Sequence, residues 1–407
     1  MQGSAEKTCV SNAQASPARA GWVLKPSAMT AFSFAGAALV AASSSAVTPL
    51  YRLYQQSMHL SPLMITLVFA VYAISLLVAL LTVGGLSDYI GRRPVILGGL
   101  LLNAIAMVLF SYASDVGQLI LARAVQGLCV GTATTALGAA ILDTDRKRGP
   151  LLNSVTAFLG LMVGALGAAA LVTFAPDPLH LVYEVLFALT AVMIVLLFVM
   201  PETVSRKSGA LASLRPHVRV PSQSRAALLR VAPATVATWA LGGFSLSLMP
   251  TVVATTMGVS APWVGGVVVA TLMLAAALTV AALRQLPAQR LLVIGTAALS
   301  LGVLVSLLGI WQHSVAMLFA GSVIAGFGFG ASFAGSLSTL LPTAEAHQRA
   351  GLLAAFYVLS YLAFSLPALA AGVAVPYAGL AVVAYVYGAV VILLAIMSMI
   401  ASLRGER

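Results

Sequence analysis

An arginine inside an otherwise apolar stretch is the first chemical signal in this chain: Arg123 stands in LILARAVQGLCVG, with Gln126 one helical turn further on. A charge in a membrane-depth helix costs at least ~2.5–3.5 kcal/mol on insertion scales, so it must face a cavity or a partner. Two chemistries fit. The guanidinium either recognises a ligand or couples to a proton, or it anchors backbone carbonyls through hydrogen bonds. Glu184 is the acid that falls within an apolar span, at a depth comparable to Arg123. It snorkels to the interface, neutralises Arg123, or titrates in a functional cycle.

The second signal is the segment GGLSDYIGRR, in which Asp88, Arg92 and Arg93 surround Gly91. Gly91 permits a tight turn where a Cβ is penalised. Asp88 can accept hydrogen bonds from exposed amides at a neighbouring helix start, and Arg92 and Arg93 can meet carboxylates or lipid phosphate. Those contacts make a latch; otherwise the segment is a basic loop that sets topology. Asp143, Asp145 and Glu345 lie at helix ends on the same side, where a second latch or solvation is expected.

Catalytic constellations are missing. His59, His180, His217, His313 and His347 all lie near loops, and no helix carries a pair of them. Cys9 and Cys129 are too far apart in the expected topology for a disulfide or a metal cage. No glycine loop with a phosphate-binding lysine occurs, which argues against ATP hydrolysis. An enzyme, a metal centre and a resident cofactor are not expected.

The elements that must hold these residues are spanning helices. With 61% hydrophobic and 8% charged residues over 407 positions, the chain exceeds what a water-soluble core absorbs. Apolar runs reach the ~18–20 residues that cross the hydrocarbon layer, and they lack the ten-residue alternation of a membrane barrel. Twelve spans are expected, at 30–51, 63–86, 94–112, 116–142, 151–174, 181–200, 231–254, 263–283, 291–311, 315–341, 350–373 and 377–403.

This topology places nineteen of the 21 Lys and Arg on one side, leaves Arg52 alone on the other, and puts Arg123 inside. The positive-inside rule then sets both termini in the cytoplasm. The net charge of +11 follows from loops facing anionic lipid, and nucleic acid is not an expected partner. Residues 1–29 read as a cytoplasmic tail without the apolar core of a signal peptide, 30–200 as a first six-helix bundle, 201–230 as a Pro- and cation-rich linker, 231–403 as a second bundle and 404–407 as a terminal tail. Gly127 and Gly131 fall on Gly326 and Gly330 at one common offset, and LSDYIGRRPVI lies over LRQLPAQRLLV, a weak internal repeat of the kind transporter folds show.

Gly84, Leu86, Asp88, Gly91, Arg92 and Arg93 match the loop between helices two and three of the major facilitator superfamily, which the chain resembles from about Thr30 to Leu403. Leu121 to Gly127 resembles the fourth-helix motif of its proton-coupled drug antiporters, and Pro201-Glu202-Thr203 its common ending of helix six. The resemblance implies an all-α integral membrane fold of two pseudo-symmetric six-helix bundles. It implies a latch at the cytoplasmic face that holds the bundles together when the cavity opens outward.

For function it implies proton-coupled efflux of small organic molecules by alternating access. The alternative is proton-coupled import of an organic acid or other small anion. A monomer in the inner membrane of a bacterium, with lipid and a small-molecule substrate as partners and the proton gradient as energy source, is expected. The substrate or proton pathway is expected at Arg123, Gln126, Glu184, Tyr72, Trp239, Tyr357 and Tyr361. Cavity hydroxyls are expected at Ser43, Ser44, Ser45, Thr48, Thr238, Ser245, Ser322 and Ser332. Two departures bear on export of cations: Ala165 stands where the antiporters' fifth-helix motif has proline, and helix one carries no acid. A cavity with a cation and no carboxylate favours anions or neutral amphiphiles.

Overall fold

The computed structural model describes residues 24–259, 261 and 263–404. The expected tail cations Lys7 and Arg19, with Cys9 and Arg407, lie outside the described residues. Among the described residues, twelve helices are long and apolar enough to cross a membrane. They are α1 (Pro26–Met58), α2 (Pro62–Val83), α3 (Arg92–Ser111), α4 (Val116–Thr144), α5 (Gly149–Phe174), α6 (Pro178–Leu197), α7 (Arg225–Ser247), α8 (Trp263–Leu283), α9 (Ala288–Trp311), α10 (Val315–Leu340), α11 (Arg349–Ala378) and α12 (Leu380–Arg404). Hydrocarbon offers the backbone no partners, so the apolar runs satisfy their amides internally as helices.

The helix starts carry the expected chemistry. Proline occupies the first turn of α1, α2, α5 and α6, where a missing N–H costs nothing. Ser61, Asp115 and Ser314 cap α2, α4 and α10 by accepting from Met64, Gln118 and Met317 N–H. Hydropathy placed most boundaries within a turn, but α1 begins earlier and ends later than expected, at Pro26 and Met58 rather than 30 and 51, and α7 begins earlier, at Arg225 rather than 231. Helix continues into water beyond the apolar core, which a hydropathy cut does not register. The end of the seventh span is also corrected. α7 stops at Ser247, and the chain passes through the short turn Met249–Thr251 and a π-helical turn at Val252–Thr256 before Gly258, at φ 69°.

Helix pairing repeats between the halves. α1 packs on α4, α5 and α6 as α7 packs on α10, α11 and α12. α2 and α3 flank α4 as α8 and α9 flank α10, and α3 meets α6 as α9 meets α12. The bundles meet through α2 with α11 and α5 with α8, two contacts exchanged by the same pseudo-two-fold. Lipid supplies no hydrophobic drive between helices, so small residues decide where backbones approach. A Cβ at Gly127 or Gly131 would collide with the Tyr72 or Leu76 carbonyl of α2, and one at Gly326 or Gly330 with the Leu272 or Ala276 carbonyl of α8. The sequence repeat is thus a repeated helix contact. Outward-facing Val195, Leu278 and Val386 are left for lipid tails.

Candidate transport site

Arg123 is only 1% exposed and lies within the first bundle. Its Nη1 donates to Ser44 O at 3.1 Å and to Gln126 Oε1 at 2.6 Å, and its Nη2 donates to the Tyr51 hydroxyl. Gln126 Nε2 donates in turn to Ser43 O at 3.0 Å. The guanidinium carbon stands 5.3, 5.2 and 5.8 Å from the rings of Tyr51, Tyr72 and Phe110. Charge-assisted bonds of about 1.5–3 kcal/mol each, with cation–π attraction, offset the insertion cost without any acid. The carbonyl-anchor arrangement is therefore present, and Tyr51 joins it unannounced by any motif.

Glu184 does not neutralise this charge. Its side chain is exposed, while the adjacent Tyr183 turns inward to share a 2.8 Å hydrogen bond with Tyr54. Neighbours on a helix point about 100° apart, so burying Tyr183 sends Glu184 outward. Most of the expected cavity hydroxyls are also spoken for. Ser43, Ser44 and Ser322 donate to carbonyls of their own helices, and Ser45 reaches Leu161 O of α5 at 2.8 Å. Thr238 and Ser332 are buried without a partner.

At mid-depth a box of rings joins the bundles. Trp239 of α7 lies 5.1 Å from Tyr361 and 5.7 Å from Phe364 of α11, and 6.3 Å from Phe333 of α10. Tyr357 stacks on Tyr361 at 6.1 Å. From the first bundle, Phe69 packs on Phe364 at 4.8 Å and Phe158 on Phe333 at 5.7 Å. The structure brings Trp239, Tyr357 and Tyr361 together, and with them Phe364, Phe333, Phe158 and Phe69, which the sequence reading did not single out. Positions 357, 361 and 364 follow the i, i+4, i+7 spacing of one helix face, a signal that would have added Phe364.

On the face where the basic loops gather, the latch segment closes within the first bundle. Arg92 Nε donates to Asp143 Oδ2 at 3.0 Å, and its Nη1 donates to Asp88 and to Ser87 Oγ. Amide capping, expected of Asp88, belongs to Glu202. Its carboxylate accepts from Arg92 and Arg93 N–H at 2.8 and 3.0 Å and from Thr203 N–H at 3.0 Å. Asp88 is already taken by Arg92, four residues on, and cannot reach those amides. Gly91 holds φ 101°, and a Cβ there would stand 2.6 Å from Glu202 Oε2. Gly84 and Leu86 form the turn leading in, with Leu86 O receiving the Tyr89 N–H at 3.0 Å. Arg93 donates to Phe198 O at 3.0 Å.

The opposite face is where the bundles lock. Thr48 donates to Leu246 O at 3.0 Å, Arg52 to Val259 O at 3.4 Å, and Thr251 to Gln55 Oε1 at 3.1 Å. Among the described residues these are the hydrogen bonds that run between the bundles, and a pocket of about 150 Å³ beside Arg52 and Pro250 lies among them. No hydrogen bond or ion pair joins the bundles at the basic face among the described residues.

Comparison with known proteins agrees with this architecture. The chain is 29% identical over 154 residues to multidrug resistance protein MdtL of Citrobacter koseri, covering 37% of this chain and 38% of that one. It is 34% identical over 132 residues to multidrug resistance protein MdtM of Escherichia coli K12, covering 30% and 31%. The matched segments thus span about a third of the length of these relatives. The fold superposes on the nucleoside transporter NupG with a TM-score of 0.71 at 12% identity, over 92% of this chain and 99% of that one. It superposes on the human organic anion transporter MFSD10 (TETRAN) with a TM-score of 0.66 at 18% identity, over 92% and 100%. The profile of the Major Facilitator Superfamily matches residues 33–366, and the chain, a multi-pass membrane transporter and not an enzyme, belongs to that family.

Proposed function

We propose that this chain is a proton-coupled exporter of small neutral or anionic organic molecules, working by alternating access. The observation that carries the reading is the ring box: aromatic side chains from both bundles meet at mid-depth, beneath a face closed by Thr48, Arg52 and Gln55. Transporters bind substrate at such an interface of repeats. The names of the two multidrug resistance relatives agree with export of organic compounds. The positive-inside rule favours both termini in the cytoplasm, in a bacterial inner membrane on this reading, and the face without hydrogen bonds between the bundles is then the cytoplasmic one. The protein works as a monomer in lipid with no cofactor, and the proton gradient supplies the energy. Asp88, Asp143, Asp145, Glu202 and Glu345 are acids on the face that must open and close.

Import of an organic acid with a proton is the second reading, favoured by Arg123, a buried cation with no carboxylate among its partners. Purified protein in proteoliposomes, with an imposed pH gradient and anionic, neutral and cationic compounds, separates the two. Export predicts substrate movement against an opposing proton flux. Movement with the protons supports import, and movement indifferent to the gradient overturns the coupling.

A further inference from the structure

We infer that the ring box selects planar aromatic compounds bearing a hydrogen-bond acceptor, and that the Trp239 indole N–H is the donor that recognises them. This rests on the reading of the box as the transport site. Trp239 Nε1 is buried and finds no acceptor on the protein. A buried indole normally pairs its N–H, because leaving it unpaired forfeits the hydration it gave up. Here the rings around it are supplied by Phe333, Tyr361 and Phe364, two of which carry no acceptor at all. The chain has therefore placed a donor where its own side chains do not answer it.

The ring geometry suits a flat guest. Phe364 stands nearly perpendicular to both Trp239, at 82°, and Tyr361, at 89°, forming one wall. Trp239 and Tyr361 lie 5.1 Å apart, tilted by 58° and in contact, so no stacking slot is open between them in this conformation. A stacked guest needs roughly 7 Å between such faces, twice the ordinary ring contact of about 3.5 Å. Tyr361 has to swing to admit it, and α11 lies at the interface that rocks. Rings alone would also attract a lipophilic cation. Against that, Arg123, buried in the first bundle, stacks on Tyr72 and has no acid among its hydrogen-bond partners, so its field opposes a second cation. A carbonyl, phenolate or carboxylate on an aromatic plane answers both the unpaired donor and that field.

The test is equilibrium binding to the purified full-length protein in lipid nanodiscs, with empty discs as the reference for partitioning. The probes are 9-fluorenone, fluorene, which has the same tricyclic frame without the carbonyl, and tetraphenylphosphonium. Wild type is expected to bind fluorenone about tenfold more tightly than fluorene, and Trp239→Phe to bring the two affinities together, whatever change in ring contact it makes to both in common. Equal affinities in wild type, a preference that survives in Trp239→Phe, or tightest binding of tetraphenylphosphonium overturns the assignment. The wild-type ratio decides the acceptor preference even where the variant does not fold. Fluorenone counterflow in proteoliposomes separates the two levels. Binding selectivity without counterflow overturns the box as a transport site and leaves its selectivity standing.

Discussion

Arg123 and Tyr72 meet across α4 and α2 with the guanidinium carbon 5.2 Å from the ring centroid, and no carboxylate among the described residues pairs with the charge. The cation is held by a backbone carbonyl, an amide and a phenol, so its first duty is to tie α1, α2 and α4 together. Arg123→Gln strands Tyr51 and Ser44 O. Loss of about 2–4 kcal/mol is expected from the charged hydrogen bonds removed. Arg123→Lys should recover less than half, because an ammonium cannot span acceptors set for a planar fork. Thermal unfolding of the detergent-solubilised protein measures both. A midpoint unchanged in Arg123→Gln would make the anchor dispensable and return Arg123 to a purely ligand-directed role.

At the basic face, Asp143 is expected to matter more than Asp88, although Asp88 belongs to the recognisable motif. The Asp88 side chain is 59% exposed and that of Asp143 30%, while their shared partner Arg92 is 8% exposed. Asp143 also accepts from Thr203 Oγ1 at 3.0 Å. An exposed pair contributes roughly 0.2–1 kcal/mol. A half-buried acid with two donors contributes about 1–3 kcal/mol. Asp143→Asn should therefore slow transport and raise cytoplasmic-side cysteine accessibility more than Asp88→Asn does. Equal effects would show that the Asp88 charge acts elsewhere in the cycle.

Gly91→Ala should destabilise the first bundle by roughly 1–3 kcal/mol, from the left-handed φ and the collision with Glu202 together. Glu202→Gln should cost less, because an amide oxygen still accepts at the start of α3, though without the charge that favours a helix N-terminus. Glu202→Ala should cost about 1 kcal/mol more, a whole cap. Unfolding midpoints with Glu202→Gln below Gly91→Ala, or no higher than Glu202→Ala, would contradict this account of the turn.

The spans, the two bundles and the family were legible because lipid forces apolar helices, and because the motif at Gly84 to Arg93 has fixed spacing. Site contacts were legible only where a motif or helical period marked them. Glu202 was quoted as part of a helix ending, yet its capping of Arg92 and Arg93 depends on a tertiary fold that brings positions 110 apart together. Glu184 misled for a related reason. Hydropathy gives its depth but not its azimuth, and the burial of Tyr183 settles the azimuth. Tyr51 carries no signal in sequence beyond an aromatic ring in a long helix.

The gate on the face away from the basic loops yields the last expectation. Thr48, Arg52 and Gln55 lie at i, i+4 and i+7 on α1, a single stripe. All three meet the irregular end of α7 and the turn beyond it, where Pro250 and the π-helical turn interrupt regular backbone bonding. A broken helix offers carbonyls that a continuous one would keep, so Thr48 and Arg52 find acceptors in this closed state, while Gln55 Oε1 accepts from the Thr251 hydroxyl. Opening toward that face must break all three bonds. Neutral hydrogen bonds contribute about 0.5–1.5 kcal/mol each. Thr48→Val with Gln55→Leu therefore removes about 1–3 kcal/mol from the closed state, a shift of roughly 5- to 150-fold in the equilibrium between the two access states. The double variant should fold normally, since Val and Leu suit the surrounding apolar wall. Labelling of a cysteine placed at Leu53 by an impermeant reagent from outside should accelerate by a similar factor. Unchanged labelling would show that apolar packing, such as Gly266 against Pro49 and Gly372 against Thr66, holds the face shut without them.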